Sequence, residues 1–192
     1  MAGELTAEQG QVLARLARQT IAQKLGVDSK TPVTGGTLEG VGLDLKQPTF
    51  VTLKIAGRLR GCIGSLQAIE SIVDGIRHNA VNAAFHDPRF PRLTRKELDR
   101  AEIEVSVLST PEELKYSDYH DLLSRLRPGI DGIIISYGRY NSATFLPQVW
   151  DELPQKEEFL SQLCLKAGLD PYAWKKGDLE VQTYQVQYFD EG

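Results

Sequence analysis

The residue types most suited to chemistry lie in the run Leu59-Arg60-Gly61-Cys62-Ile63-Gly64, which holds one of only two cysteines in the chain. Arg60 lies two positions before the thiol and could stabilise the thiolate, the form of cysteine that reacts or binds metal. The glycines allow positive φ angles and a close approach of a second molecule. We therefore predict a reactive Cys62, with backbone N–H groups around Gly61 and Gly64 forming a small anion-binding nest.

The same run also has a purely structural interpretation, in which a glycine-flanked turn packs two strands and the thiol has no chemical role. The second cysteine, Cys164, falls on the inward stripe of an amphipathic helix predicted over 156–167, and free cysteine is among the most buried residue types. The residues leave both interpretations of Cys62 open. Its alkylation near neutral pH, compared with that of Cys164, would separate them.

A second group of candidate residues follows a helix predicted over 71–85, in the run His86-Asp87-Pro88-Arg89. Asp87 and Arg89 could orient one another, or Arg89 could bind a carboxylate or phosphate with two parallel hydrogen bonds. Asp87 is then a candidate for moving protons. The alternative is a helix end with a surface ion pair, and a lone histidine such as His86 favours that structural interpretation.

Two further candidates share the polar face of a strand predicted over 101–108, where Glu104 and Ser106 alternate with apolar residues. This face is either solvent-exposed or a binding wall on which Glu104 acts as a general base opposite Cys62. The catalytic candidates are thus Cys62, Glu104 and Asp87. The candidate substrate-binding residues are Arg60, Gly61, Gly64, Arg89, Ser106 and Gln148.

Composition limits the classes of function. The chain has 192 residues, a net charge of −4 and a pI near 5.5, which count against RNA as a partner. Basic residues over 89–100 are interleaved with acidic ones, a pattern typical of a solvated face. Two cysteines and three histidines, widely spaced, match no metal-binding pattern, and we expect no cofactor. Without a secretory leader or an apolar run of about 18 residues, we expect a cytoplasmic protein that does not enter membranes.

The elements that must position these residues follow from periodicity and turn signals. Thr6 and Gln9 form a capping box that begins the first helix. Ala56-Gly57-Arg58 joins two strands of a hairpin and places Cys62 at, or just beyond, a strand end. Ser117 is expected to cap a helix that extends to Leu126. The other predicted elements are strands 49–55 and 59–63, a hairpin of 132–137 with 142–146, and a final strand 179–189 with a bulge near Thr183.

Four segments give the chain a family resemblance: LRGCIG (59–64), AAFHDPRF (83–90), FLPQV (145–149) and LCLKAGL (163–169). They resemble, in order, the motifs of the AMMECR family over roughly residues 8–190. The resemblance implies an α+β fold of two unequal subdomains, built on mainly antiparallel sheets flanked by helices, with a cleft between them. It also implies that residues 1–192 form one domain of two interleaved subdomains. One departure is Ser142-Ala143-Thr144, where the family more often has a glycine-containing turn.

The resemblance also bears on function and partners. Bacterial and archaeal relatives are often grouped with a Memo-type protein and a radical-SAM protein, which implies a step in a modification pathway with small-molecule or RNA substrates. One hypothesis is a cytosolic enzyme that uses Cys62 as a reactive thiol in the cleft. The other is a non-catalytic binding or scaffold module whose LRGCIG turn docks a protein, a small anion or RNA.

Overall fold

A computed structural model describes residues 4–29, 32–38 and 42–192 of the chain. These residues separate into two units, the first comprising those up to Ser109 together with Gln187–Gly192, and the second comprising Thr110–Val186. The α-helices are α1 (Ala7–Leu25), α2 (Ile72–Phe85), α3 (Arg95–Leu98), α4 (Tyr119–Arg125) and α5 (Lys156–Lys166). The strands are β1 (Thr49–Ile55), β2 (Arg58–Ser65), β3 (Ala101–Leu108), β4 (Glu112–Glu113), β5 (Gly132–Tyr137), β6 (Asn141–Phe145), β7 (Glu180–Tyr184) and β8 (Val186–Phe189).

The first sheet has the order β2-β1-β3-β8, and β1 is antiparallel to both β2 and β3. The β1–β2 turn is confirmed as a tight hairpin: Ala56 and Gly57 both have positive φ, at 51° and 72°, as a two-residue turn that matches strand twist requires. On one face of β1, Val51 and Leu53 are fully buried. They pack in a core with residues of α1 and α2.

Helix α1 begins and ends where the sequence predicts. Thr6 accepts a hydrogen bond from the N–H of Gln9, and the Gln9 side chain bonds back to Thr6, which confirms the capping box. Gly26 ends the helix in the left-handed conformation, with φ of 67°. Apolar residues at helical spacing, including Leu13 and Ile21, are fully buried in the core of the first unit.

The second sheet has the order β4-β7-β5-β6 and contributes to a separate core in which Trp150 stacks on Phe159 with ring centroids 3.6 Å apart. The predicted cap of α4 was one residue early. Asp118, rather than Ser117, accepts hydrogen bonds from the N–H groups of His120 and Asp121, because a carboxylate there can bond two of the free N–H groups that begin a helix.

One further correction concerns a strand. The single strand predicted over 179–189 is two strands, β7 and β8, which belong to different sheets and are separated by Gln185. The predicted hairpin of 132–137 with 142–146 is confirmed, and Ser142-Ala143-Thr144 lies within β6, paired with β5. The α+β class with two antiparallel sheets and flanking helices is confirmed.

Candidate functional site

Cys62 lies inside a strand rather than at its end. It is in β2, directly opposite Thr52 of β1, and β2 is at the edge of the first sheet. An edge strand leaves alternate N–H and C=O groups without a neighbouring strand. The peptide groups of Cys62 that point outward must therefore find partners elsewhere in the molecule.

Those partners are the two charged residues that follow α2. The backbone N–H of Cys62 donates to Oδ2 of Asp87 at 2.9 Å, and the carbonyl of Cys62 accepts from Nη2 of Arg89 at 3.2 Å. Because both peptide groups bond away from β1, Cys62 and Thr52 form a non-hydrogen-bonded pair, in which side chains lie closest together. The Asp87–Arg89 pair thus closes the edge of the sheet at the thiol-bearing residue.

Asp87 is saturated with hydrogen bonds. Its side chain is 1% exposed, and besides the N–H of Cys62 it accepts from the backbone N–H of Arg89 and from that residue's guanidinium at 3.0 and 2.7 Å. The bond from the Arg89 side chain, aided by those from the backbone, lowers the pKa of Asp87 far below its ordinary range against the opposing effect of burial. These contacts favour a positioning role for Asp87 over the proton transfer predicted from the sequence.

Gly61 and Gly64 are required by packing. Neither has a positive φ, and both lie in paired strand backbone, so the predicted nest is absent here. A Cβ on Gly61 would lie 2.2 Å from the carbonyl oxygen of Ala83 in α2. A Cβ on Gly64 would lie 2.2 Å from the ring of Phe50. The glycines therefore let a helix approach one face of β2 and an aromatic ring cover the other.

The guanidinium of Arg60 bonds to Glu97 and not to Cys62, contrary to the role predicted for it. The pairing slips between Leu53 and Lys54 of β1, where β2 inserts an extra residue, Arg60. The buried guanidinium of Arg60 donates to Glu97 at 2.9 and 3.3 Å and holds the pKa of Glu97 at about 2. Arg60 thus fixes α3 to β2. The guanidinium that bonds to the Cys62 backbone is that of Arg89, and its hydrogen bond to Asp87 chiefly raises the pKa of Arg89.

The Cys62 side chain lies in a row of polar groups across three strands, here called the thiol row and formed by Cys62, Thr52 and Glu104. The hydroxyl of Thr52 donates to Sγ of Cys62 at 3.3 Å. Thr52 is opposite Glu104 of β3, and Glu104 accepts from Nζ of Lys54 at 3.2 Å. Because strands are spaced about 4.8 Å apart, the backbones of Cys62 and Glu104 lie roughly 10 Å apart on one face.

The remaining candidates have separate surroundings. Ser106 follows Glu104 on the same face, but it is buried, at 4% exposure. Gln148 is exposed in the 3₁₀ helix Pro147–Asp151 of the second unit. His86 is the exposed C-cap of α2, with its Nδ1 bonded to Asn82, as its structural interpretation predicts. Cys164 is fully buried, and burial raises the pKa of its thiol.

Thr52 and Lys54 are the residues of the site that sequence reasoning missed. The alternation over 49–55 places both on one face of a strand, so their common orientation could be read from the sequence. The alternation does not predict the order of the strands in the sheet. Only the pairing of β1 with both β2 and β3 brings Thr52 between the thiol and Glu104.

The described part of the chain contains no group of three or more His, Cys, Asp or Glu side chains placed to hold a metal ion. Within the same residues, no helix has the length and apolarity needed to cross a membrane.

Fold and site together define an α+β protein with two four-stranded antiparallel sheets, in which a cysteine-bearing edge strand is closed by an Asp–Arg pair. The AMMECR1 family model matches residues 14–189. The chain belongs to the AMMECR1 family.

Relatives and a solved structure agree with this assignment. A Thermofilum pendens protein is 39% identical, with 98% of this chain and 92% of that protein covered. A protein of Methanothermobacter thermautotrophicus is 37% identical, with 97% and 96% covered. The crystal structure of an uncharacterised Pyrococcus horikoshii protein is similar, with a TM-score of 0.82, 34% identity, and coverage of 97% of this chain and 93% of that one.

Proposed function

We propose that the face of the first sheet bearing the thiol row is a substrate site and that the Cys62 thiol is its reactive group. The observation that carries the proposal is the hydrogen bond from the Thr52 hydroxyl to Sγ of Cys62, 3.3 Å long, on a residue whose backbone is held by Asp87 and Arg89. A thiol with a fixed position and a donor aimed at its sulfur is prepared to react as a thiolate.

Each neighbour has a role in this proposal. The Thr52 hydroxyl stabilises negative charge on sulfur, and the Arg89 guanidinium, paired with Asp87, holds the carbonyl of Cys62. Glu104 bonds to Lys54 of the neighbouring strand and lies two strands from Cys62. It is the proposed proton acceptor for a substrate that lies across the row. The pathway that the family resemblance implies, with Memo-type and radical-SAM proteins as partners, would supply or consume this substrate.

A second candidate, a non-catalytic binding or scaffold module, is favoured by a different observation. Gly61 and Gly64 are explained by packing, Arg60 by its bond to Glu97, and the HDPR segment by closure of the strand edge. In this alternative the motif maintains a rigid surface that docks a protein, a small anion or RNA, and Cys62 is a small residue within it.

The pH dependence of alkylation separates the two candidates. We would label the protein with iodoacetamide between pH 5 and 10 and quantify Cys62 and Cys164 peptides by mass spectrometry, with glutathione in the same tube as the free-thiol reference. A reactive site predicts an apparent pKa for Cys62 below about 8.5. Thr52→Val should raise that value, whereas Thr110→Val, at an exposed threonine, should leave it unchanged.

The opposite result favours the docking module. If Cys62 titrates like glutathione or above it, and Thr52→Val changes nothing, the thiol has no activated form and the reactive-group proposal is wrong. Because Cys164 is fully buried, slow labelling of Cys164 reports that the protein stayed folded at each pH.

A further inference from the structure

A cavity of about 600 Å³ lies in the first unit and includes no member of the thiol row. Its polar wall contains three arginines, Arg15, Arg18 and Arg95, together with the hydroxyl-bearing Ser29. Arg15 and Arg18 are three residues apart on α1 and therefore share one face of the helix, while Arg95 begins α3. This volume falls in the range of cavities that hold small organic ligands.

The cavity already holds one carboxylate, which comes from the chain itself. The Arg18 guanidinium donates two hydrogen bonds to the Glu191 carboxylate, from Nε at 2.5 Å and from Nη2 at 2.6 Å. Arg18 also donates to the carbonyl oxygens of Leu98 and Ala101. Arg18 thus uses four of its five N–H donors, and its two-bond pairing with Glu191 is the geometry that arginine uses to recognise carboxylates and phosphates.

Among the described residues, the other polar donors of the cavity are mostly without partners. Arg15 has no hydrogen bond or ion pair to any residue that the structure describes, and Arg95 uses only Nε, which donates to the carbonyl of Leu25. Ser29 has a buried hydroxyl without a hydrogen-bond partner among those same residues. A buried hydroxyl without a partner costs stability, so a ligand that accepts a bond from Ser29 would remove that cost.

The rest of the lining gives the ligand its character. Ala22, Val27 and Leu98 supply apolar surface beside the arginines. Asp28 and Asp99 also line the cavity, and with Glu191 their charges balance the three arginines. An anion bound by Arg15 and Arg95 is therefore favoured further when the Glu191 charge is removed. Removing the arginines should therefore weaken binding of an anion, whereas removing the Glu191 charge should tighten it.

We propose that this cavity binds a small organic molecule with a carboxylate or phosphate group, held by Arg15, Arg95 and the Ser29 hydroxyl, with its apolar part against Val27 and Leu98. The site is independent of the proposed thiol chemistry, because it shares no residue with the thiol row.

Calorimetric titration of the whole protein with citrate and, separately, with phenyl phosphate tests the site and distinguishes the two anion classes. We expect binding of at least one probe that weakens as salt is raised. Arg15→Gln with Arg95→Gln should weaken it at least tenfold, because two charge-assisted hydrogen bonds are lost. Arg92→Gln is the matched control, since Arg92 lies over the ring of Phe85 and does not line the cavity.

Glu191→Gln provides the test of opposite sign. It removes a negative charge from the cavity wall and should tighten binding of the same probe severalfold. The proposal is overturned if neither probe binds at 10 mM, if the double arginine variant binds as tightly as the unaltered protein, or if Glu191→Gln weakens binding. Melting of each variant without probe shows whether it remains folded. If the double arginine variant is unfolded, Ser29→Ala, which removes only the hydroxyl, takes its place and should weaken binding of the probe.

Discussion

The buried carboxylate of Asp87 accepts a hydrogen bond from the backbone N–H of Cys62, 25 residues earlier in the chain, at 2.9 Å. Through this bond the segment after α2 takes the place of a neighbouring strand along the edge of the first sheet. Two of the segments that mark the family, LRGCIG and AAFHDPRF, are therefore parts of a single contact. The rigidity of the thiol-bearing residue depends on both.

Asp87→Asn should destabilise the protein strongly. The substitution removes the charge from a side chain that is 1% exposed, while its partner Arg89 is 53% exposed, so we expect a cost of about 1–3 kcal/mol, between those of an exposed and a buried ion pair. Urea unfolding measures the change. Asp74→Asn is the control, because Asp74 pairs with Arg77 on the exposed surface, where such a pair contributes less than about 1 kcal/mol. Equal effects of the two substitutions would contradict the role of Asp87.

Stability should fall in acid as Glu97 and then Asp87 take up protons. Both carboxyls have a lowered pKa in the folded protein, Glu97 because of Arg60 and Asp87 because of Arg89. A lowered pKa stabilises the fold above the unfolded-state pKa, and this contribution is lost as pH falls through the folded value. For Glu97 the window runs from about 4.5 down to about 2.

Melting temperatures between pH 7 and pH 2 measure this loss. Glu97→Gln should be less stable than the unaltered protein at pH 7, and the difference should shrink between pH 4.5 and pH 2. A difference that stays constant over this range would show that the Arg60–Glu97 pair has no part in acid sensitivity.

Gly61→Ala should be costly although alanine is the smallest side chain that can be added. The new Cβ would lie 2.2 Å from the Ala83 carbonyl oxygen, and a backbone group of α2 cannot turn aside as a flexible side chain would. We expect a loss of about 2 kcal/mol or more in the free energy of unfolding. Gly35→Ala is the control, since a Cβ there meets nothing within 4 Å, and a comparable loss in both variants would refute the packing argument.

Asn79→Leu should weaken the attachment of α2 to the start of β1. The buried amide of Asn79 donates to the carbonyl oxygen and to the hydroxyl of Thr49, both at 2.9 Å. Losing these bonds deprives the buried backbone and hydroxyl of Thr49 of the amide donor, at a cost of about 1–3 kcal/mol. Thermal unfolding measures it, and a smaller effect of Asn79→Leu in a Thr49→Val background would show that the hydroxyl bond contributes; additive effects would show that it does not.

The sequence predicted the elements better than it predicted the contacts between them. The capping box of α1 and the alternation of β3 are local patterns, and each lies where it was expected. The polar face shared by Thr52 and Lys54 could be predicted equally well. The hydrogen bond between Asp87 and Cys62 could not be predicted, because the periodicity of each segment does not show which strand edge the other segment will contact.

Arg60 shows a second limit of sequence reasoning. Its distance of two positions from the thiol suggested an electrostatic partner for Cys62, but a one-residue slip in the strand pairing sends the guanidinium to Glu97 instead. A bulge depends on the register of both strands. The sequence of one strand therefore does not predict a bulge. For the same reason, the break at Gln185 between β7 and β8 was wrongly predicted as a bulge.

The path of the chain through the two units sets an order for their completion during synthesis. The second unit is the continuous segment Thr110–Val186, whereas the first takes its last strand from residues near 189. A ribosome therefore releases all of the second unit before the first sheet can receive β8. The edge of β3 that pairs with β8 stays unpaired while some eighty residues are translated. Premature termination shortly before residue 186 would therefore leave an open strand edge in the first unit that can pair with another chain.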